Sequence, residues 1–209
     1  MTTTVKTIPS RYNYEHASQW LKAKGQEKYG TQFRLQEEDT SIIYLLLCYF
    51  LKDEIAAQYL GINLSKGILL TGPAGCGKTT LLNLMRYISQ QAFVMKSCRD
   101  ISFEFIHDGY EIIYRYSRAS LQPHAPHTFC FDDLGMENNI KYYGNDCNVM
   151  AEILLTRYDL FITNNITTHL TTNLSAGEIE QAYGTRVRSR CREMFNLIAF
   201  DNNTPDKRR

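Results

Sequence analysis

Gly67-Ile68-Leu69-Leu70-Thr71 runs straight into Gly72-Pro73-Ala74-Gly75-Cys76-Gly77-Lys78-Thr79, and the apolar positions Leu81, Leu82, Leu84, Met85 and Ile88 follow. The first stretch is a short apolar run ended by glycine, the mark of a buried strand, and the last group has helical spacing. The residues between them fit GxxxxGK[ST] in full, in the strand, loop and helix setting that gives this pattern its meaning. Its glycines let successive backbone N–H groups turn inward around phosphate oxygens, and the following helix directs its positive end at the same charge. Lys78 is then expected to reach the β and γ phosphates of a nucleoside triphosphate, and the Thr79 hydroxyl to ligate Mg²⁺. The expected nucleotide contacts run from Gly72 through Pro73, Ala74, Gly75, Cys76, Gly77, Lys78 and Thr79 to Thr80. The competing reading, a glycine-rich turn that binds nothing, is opposed by the agreement of spacing with flanking elements. Cys76 is read as a small loop residue without a redox part.

Further along, Phe129-Cys130-Phe131-Asp132-Asp133 is an apolar strand ending in two acids. Ligands of parallel sheets gather at the carboxyl ends of the strands, so these acids are expected beside the phosphates. Asp132 is the candidate for the Mg²⁺ shell, and Asp133 the candidate to polarise a water for attack on the γ phosphate. A solvated strand-to-loop turn is the alternative. Asp133 is one methylene shorter than a glutamate in that place, and Glu137 is the fallback base.

Around these motifs, strands and helices alternate. Residues 12–28 and about 40–59 read as helices, the second apolar nearly all round its first half and hence buried on several sides. A strand is expected at 92–96, helical stretches over about 98–117, and a loop through Pro123 and Pro126 into a strand at 128–131. A longer helix is expected from about Asn145, with Val149, Met150, Ile153, Leu154 and Phe161 on one face, then a strand ending near Thr172. Helices at about 175–182 and 184–193 precede a last strand at 195–200. Each parallel crossover needs a helix to return the chain, so the pattern predicts a three-layer α/β P-loop NTPase fold with a central parallel sheet. The predicted division is a small N-terminal helical region, 1–61, and a core, 62–209.

The 209 residues suffice for one good core with a small extension. Hydrophobic content of 44% and charged content of 22% are those of a folded globular protein. A net charge of +1 excludes a uniformly basic nucleic-acid binder and leaves room only for a local basic stripe. The cysteines at 48, 76, 98, 130, 147 and 191 form no CxxC pair or metal-spaced cluster, which fits free thiols in a reducing cytoplasm. The start, MTTTVKTIPS, lacks the apolar stretch of a secretory signal. The most apolar run, 42–51, has about half the roughly 20 residues a membrane span needs, so no membrane partner is expected.

Four stretches, GPAGCGKT, CFDDLG, THLTTNLS and YGTRVRSRCREMF, together resemble the AAA+ ATPases of the DnaC/IstB group, which are helicase loaders and transposition helper ATPases. The first two are generic to AAA+ proteins; the last two point to this group, and the resemblance covers about 62–201. It implies ATP and Mg²⁺ as cofactors, ATP hydrolysis, homo-oligomers formed on ATP or DNA binding, and a replicative helicase or a transposase as partner. Asn173 resembles the sensor I residue that helps orient the attacking water, against a helix N-cap or turn asparagine as the plain reading. Arg190 resembles an arginine finger that reaches a neighbouring subunit's γ phosphate, and Arg186 a supporting arginine. The two are i,i+4 and share a helix face, although a solvated basic helix has the same spacing. Arg208 matches a sensor II arginine weakly. The short stretch after the last predicted strand leaves no room for a full helical lid, as in DnaC/IstB proteins.

Tyr110, Tyr114 and Tyr116 interleave with Arg115 and Arg118 in the manner of single-strand DNA surfaces, with core packing or a partner interface as the competing reading. Double-stranded DNA stays open as a ligand. Two other classes stand beside the ATPase reading: a small P-loop nucleotide or nucleoside kinase, and a non-hydrolysing ATP-dependent adaptor.

Overall fold

Asn13 opens the first helix, its side chain accepting from His16 N at 2.9 Å, and the helix α1 runs Tyr14–Tyr29. In the computed structural model the residues described are 8–117, 128–137, 140–142 and 145–208. They fall into two compact units, one of residues 1–64 with 84–90 and the other of residues 65–83 with 91–209.

In the first unit, α1 is followed by a single 3₁₀ turn, Glu37–Asp39, and by α2, Thr40–Phe50. Helix α2 buries Ile42, Ile43, Leu46, Leu47, Cys48, Tyr49 and Phe50, as its all-round apolar pattern predicts. The single helix expected over about 40–59 is two. Lys52 takes a left-handed φ of 54°, and Asp53 then caps a new helix, α3, Glu54–Leu60, by accepting from Ala56 N at 3.2 Å. The Asp53 side chain thereby satisfies one of the amides that a new helix leaves free at its start. Asp53 is fully buried, and its other oxygen accepts from Ser10 Oγ, from Arg11 N at 3.1 Å and from Tyr14 OH at 3.1 Å. Burial alone would raise its pKa; these hydrogen bonds outweigh burial and hold the carboxyl below its ordinary value.

The second unit is built on strand β1, Gly67–Thr71, which leads into helix α4, Lys78–Met85, of which residues 78–83 belong to this unit. Strand β2, Val94–Ser97, is followed by α5, Cys98–Asp108, and α6, Tyr110–Ser117. Strand β3, Phe129–Leu134, comes next. The helix expected from about Asn145 is preceded by an antiparallel pair, β4 Ile140–Tyr142 and β5 Asn145–Cys147. Helix α7, Val149–Asn164, starts after it because Asn148 is the cap, its side chain accepting from Ala151 N at 3.0 Å. Strand β6, Thr168–Thr172, helix α8, Ala176–Met194, and strand β7, Phe195–Ala199, complete the unit. Helix α8 is broken at Gly184, φ 85°, near the boundary expected between two short helices.

Five parallel strands form one sheet in the order β2-β3-β6-β1-β7. Leu69 pairs with Leu170 and Leu170 with Phe131, and all three enter one core with Ile101 and Phe105 of α5, Ile112 of α6 and Ile153 and Leu154 of α7. Side chains alternate across a strand, so Ile68 and Leu70 point to the opposite face, and both are fully buried there. A sheet covered on both faces is the three-layer α/β arrangement. Its carboxyl edge is where β1, β3 and β6, adjacent in the sheet, deliver their next residues.

Candidate active site

The three adjacent strand ends present the loop 72–77, the acids Asp132 and Asp133, and Asn173. Gly75 and Gly77 hold φ of 79° and 104°, a conformation that a side chain would strain, and so the loop can wrap before α4 begins. Lys78 is 5% exposed and curls back over the loop. Its ammonium donates to Gly72 O at 2.8 Å, to Pro73 O at 2.9 Å and to the side-chain oxygen of Asn173. Asn173 thus meets the loop lysine directly. The Thr79 hydroxyl donates to Asp132 at 2.9 and 3.0 Å from its two oxygens. Thr80 follows, half-buried, on the first turn of α4.

A hydroxyl and a carboxylate side by side are hard oxygen donors, the kind Mg²⁺ takes when phosphates supply the rest of its shell. The residues fit that ion. Burial pushes the Asp132 carboxyl above its ordinary pKa; hydrogen bonds from Thr171 and Thr79 oppose the shift, the Asp133 charge adds to it, and the Lys78 charge opposes it. Asp133 has a left-handed φ of 57°, which aspartate tolerates better than most residues. Cys76 is fully buried, and burial raises its thiol pKa against the opposing charge of Lys78, which suits a packed loop residue. Glu137 is tied down, accepting from Gly135 N at 2.9 Å and from the hydroxyl of Tyr183.

Two contributions had no local signal in the sequence. Thr171, fully buried on β6, donates to Asp132 at 2.6 Å and accepts from Asp133 N at 2.8 Å. Lys207 donates its backbone N–H to Gly75 O at 3.0 Å and its ammonium to Cys76 O at 2.9 Å, so the segment after β7 lies along the loop. Arg208, in the same segment, is paired with Asp206 at 2.8 Å and is largely exposed.

The two arginines expected to act in trans, Arg186 and Arg190, lie on α8. Arg186 is exposed. Arg190 packs on α7 of its own chain, its guanidinium 4.6 Å from the centre of the Tyr158 ring, 3.4 Å from Leu155 O and 3.9 Å from the Asp159 carboxylate. The tyrosine and arginine stripe is not a continuous stacking surface. Tyr116 is buried and donates to Glu104 at 2.7 Å, and Arg115 lies 3.4 Å from Asp108 and 3.8 Å from Glu104. The helical period puts Tyr110 and Tyr114 on the outer face of α6 and turns Tyr116 inward. Arg118 lies outside the described residues, as do Pro123 and Pro126.

The sequence profile of the ATPase family associated with various cellular activities (AAA) matches residues 68–197. The chain belongs to the AAA family. This AAA chain is 32% identical over 84 residues to the cell division control protein 48 homolog B of Arabidopsis thaliana, covering 40% of the chain and 14% of that protein. It is 31% identical over 122 residues to the 26S proteasome regulatory subunit 8 homolog of Encephalitozoon cuniculi (strain GB-M1), covering 56% of the chain and 31% of that protein. The chain therefore spans less than a third of the length of either relative. Its fold is similar to that of a putative primosome component from Streptococcus pyogenes serotype M3, with a TM-score of 0.55, 17% identity and coverage of 84% of this chain and 86% of that one. It is also similar to AMPPCP-bound DnaA from Aquifex aeolicus, with a TM-score of 0.52, 16% identity and coverage of 95% and 53%. At these identities the likeness is one of fold.

Proposed function

We propose that this AAA chain binds and hydrolyses ATP with Mg²⁺, working as a homo-oligomer of the DnaC/IstB kind that loads or remodels a replicative helicase or a transposase on DNA. The observation that carries the catalytic part is the convergence of Lys78 with Asn173, and of Thr79 with Asp132, on one phosphate loop. When ATP binds, Lys78 exchanges its contacts with Gly72 O and Pro73 O for β and γ phosphate oxygens, and the loop amides close around the same charge. Thr79 and Asp132 would hold Mg²⁺, which neutralises charge building on the phosphates. Asp133 orients the attacking water and draws off its proton, and Asn173 holds that water in line. Arg190 reaches the γ phosphate of a neighbouring protomer by leaving its place on Tyr158 and Leu155, with Arg186 beside it.

The loading role is supported by the run YGTRVRSRCREMF and by a fold shared with a putative primosome component over most of both chains. In this reading the helices of 1–61 form a separate region ahead of an ATPase core, 62–209. A cytoplasmic setting is supported by six free cysteines. No helix among the described residues is long and apolar enough to cross a membrane. Phosphate release from ATP, measured with and without Mg²⁺ and with and without single- or double-stranded DNA, tests the proposal. Mg²⁺-dependent release supports hydrolysis, and stimulation by either DNA supports the loader. Transfer of phosphate to a nucleoside or nucleotide would instead make the protein a kinase, and binding without turnover an adaptor.

A further inference from the structure

Strands β3 and β6 fall out of step where the acids stand. Phe131 pairs with Leu170, but the next pair is Leu134 with Thr172, so three steps on β3 face two on β6. The extra residue is a bulge, and Asp133 absorbs it with its left-handed φ of 57°. A bulge takes a backbone N–H out of the ladder, and a buried amide must find another acceptor. For Asp133 that acceptor is the Thr171 hydroxyl, at 2.8 Å.

The same hydroxyl lies 2.6 Å from Asp132 Oδ1. A hydroxyl has one proton, and a backbone N–H can only donate. Thr171 therefore accepts from Asp133 and must donate to Asp132, so the direction of both bonds is fixed. Thr171 is fully buried and stands one residue before Thr172, whose own hydroxyl donates to Leu134 O at 2.7 Å across the same bulge. Asp132 thus accepts one hydrogen bond from Thr79, on the loop side, and another from Thr171, on the sheet side.

We infer that Thr171 is a positioning residue for the reaction: one buried hydroxyl sets the direction of the Asp132 carboxylate and, through the amide, the backbone that carries Asp133. The inference rests on the ATP and Mg²⁺ reading of the site. Thr171 touches no substrate in this scheme; it acts by keeping the carboxylate that would hold Mg²⁺ from turning and the next residue in its bulge. Partners of this kind, behind a metal's own ligands, change metal affinity by about 10- to 100-fold when removed.

Thr171→Val keeps shape and removes the hydroxyl, whereas Thr171→Ser keeps the hydroxyl and removes a methyl. Each is compared with the parent chain for ATP affinity in Mg²⁺ and in EDTA, for the free Mg²⁺ giving half-maximal binding enhancement, and for thermal melting. The valine chain is expected to bind ATP in EDTA as the parent does and to need at least about 10-fold more Mg²⁺, with the serine chain near the parent. An unchanged Mg²⁺ requirement in a folded valine chain overturns the inference. Should the valine chain not fold, the serine chain decides: a parental Mg²⁺ requirement upholds the hydroxyl, and a tenfold rise rejects it. A parent chain that gains no ATP affinity from Mg²⁺ sinks the ATPase reading itself, a result separable from either.

Discussion

Replacing Lys78 by methionine tests the loop most directly, because methionine keeps the length of the side chain and removes only its charge and donors. In the free protein the ammonium satisfies Gly72 O, Pro73 O and the Asn173 side chain. The lysine is 5% exposed and its ammonium serves all three acceptors, so the fold should lose about 1–3 kcal/mol, the cost of leaving a buried polar partner unpaired. Nucleotide binding is at stake as well. In the proposed reading the wild-type lysine trades carbonyl partners for charged phosphate oxygens, and a hydrogen bond to a charged group contributes about 1.5–3 kcal/mol. That interval corresponds to a Kd raised by about 10- to 150-fold for ATP. Titration of a fluorescent ATP analogue at fixed free Mg²⁺, with a melting curve on the same sample, measures both quantities. A folded Lys78→Met chain that binds ATP within about twofold of wild type would show that the loop is not the phosphate site.

Asp133→Asn should leave ATP affinity nearly unchanged and slow hydrolysis by about 10²- to 10⁴-fold, since asparagine tolerates the same left-handed backbone but cannot take the proton; unchanged turnover would move the base elsewhere. Mixing Lys78→Met with Arg190→Ala chains should restore part of the hydrolysis that each lacks alone, because one supplies the finger and the other the nucleotide; a mixture that stays silent while its chains co-assemble refutes an Arg190 finger acting in trans. In the first unit, Asp53→Ala should cost about 2–4 kcal/mol by urea denaturation, since it empties a buried cap and strands Ser10, Tyr14 and two amides. The Asp53 carboxyl is held below its ordinary pKa, so its stabilisation is whole above the unfolded value near 3.8 and is lost as pH falls through the lower folded value. The wild type should therefore lose stability below about pH 4 more steeply than Asp53→Ala, and parallel acid titrations would refute the assignment.

Much of the site was legible because it is local. The strand 67–71, the loop and the acids 132 and 133 each carry their geometry within a few residues, and the sheet order then brings them to one edge. What escaped the sequence depends on contacts made across the chain or on a single backbone angle. The break at Lys52 has no glycine to announce it; only the capping acid Asp53 gives it away, and that residue also reads as an ordinary charged helix position. Asn145 and Asn148 are both plausible caps, and only the β4–β5 pair decides for the second. Thr171 looks like any strand threonine until the bulge beside it is seen, and Lys207 meets the loop from 131 residues away. In the aromatic stripe, interleaving in sequence is not adjacency on a helix: core packing, one of the two readings weighed for it, holds for Tyr116, which turns inward, away from Tyr110 and Tyr114.

The order of the strands also sets a timetable for synthesis. β1 is made well before its two neighbours, β6 and β7, at Thr168–Thr172 and Phe195–Ala199. Translation at about 5–20 residues per second leaves roughly 5–20 s between the emergence of Ile68-Leu69-Leu70 and that of the first strand able to flank it. During that interval a strand that ends with four of its five residues buried is an apolar edge with no ladder partner, the sort of segment that chaperones hold and that neighbouring chains capture. The loop 72–77 waits longer still, since Lys207, which closes the carbonyls of Gly75 and Cys76, is made after all five strands of the sheet. The loop thus closes only after the sheet is complete, and expression at low temperature or with holding chaperones should raise the soluble yield.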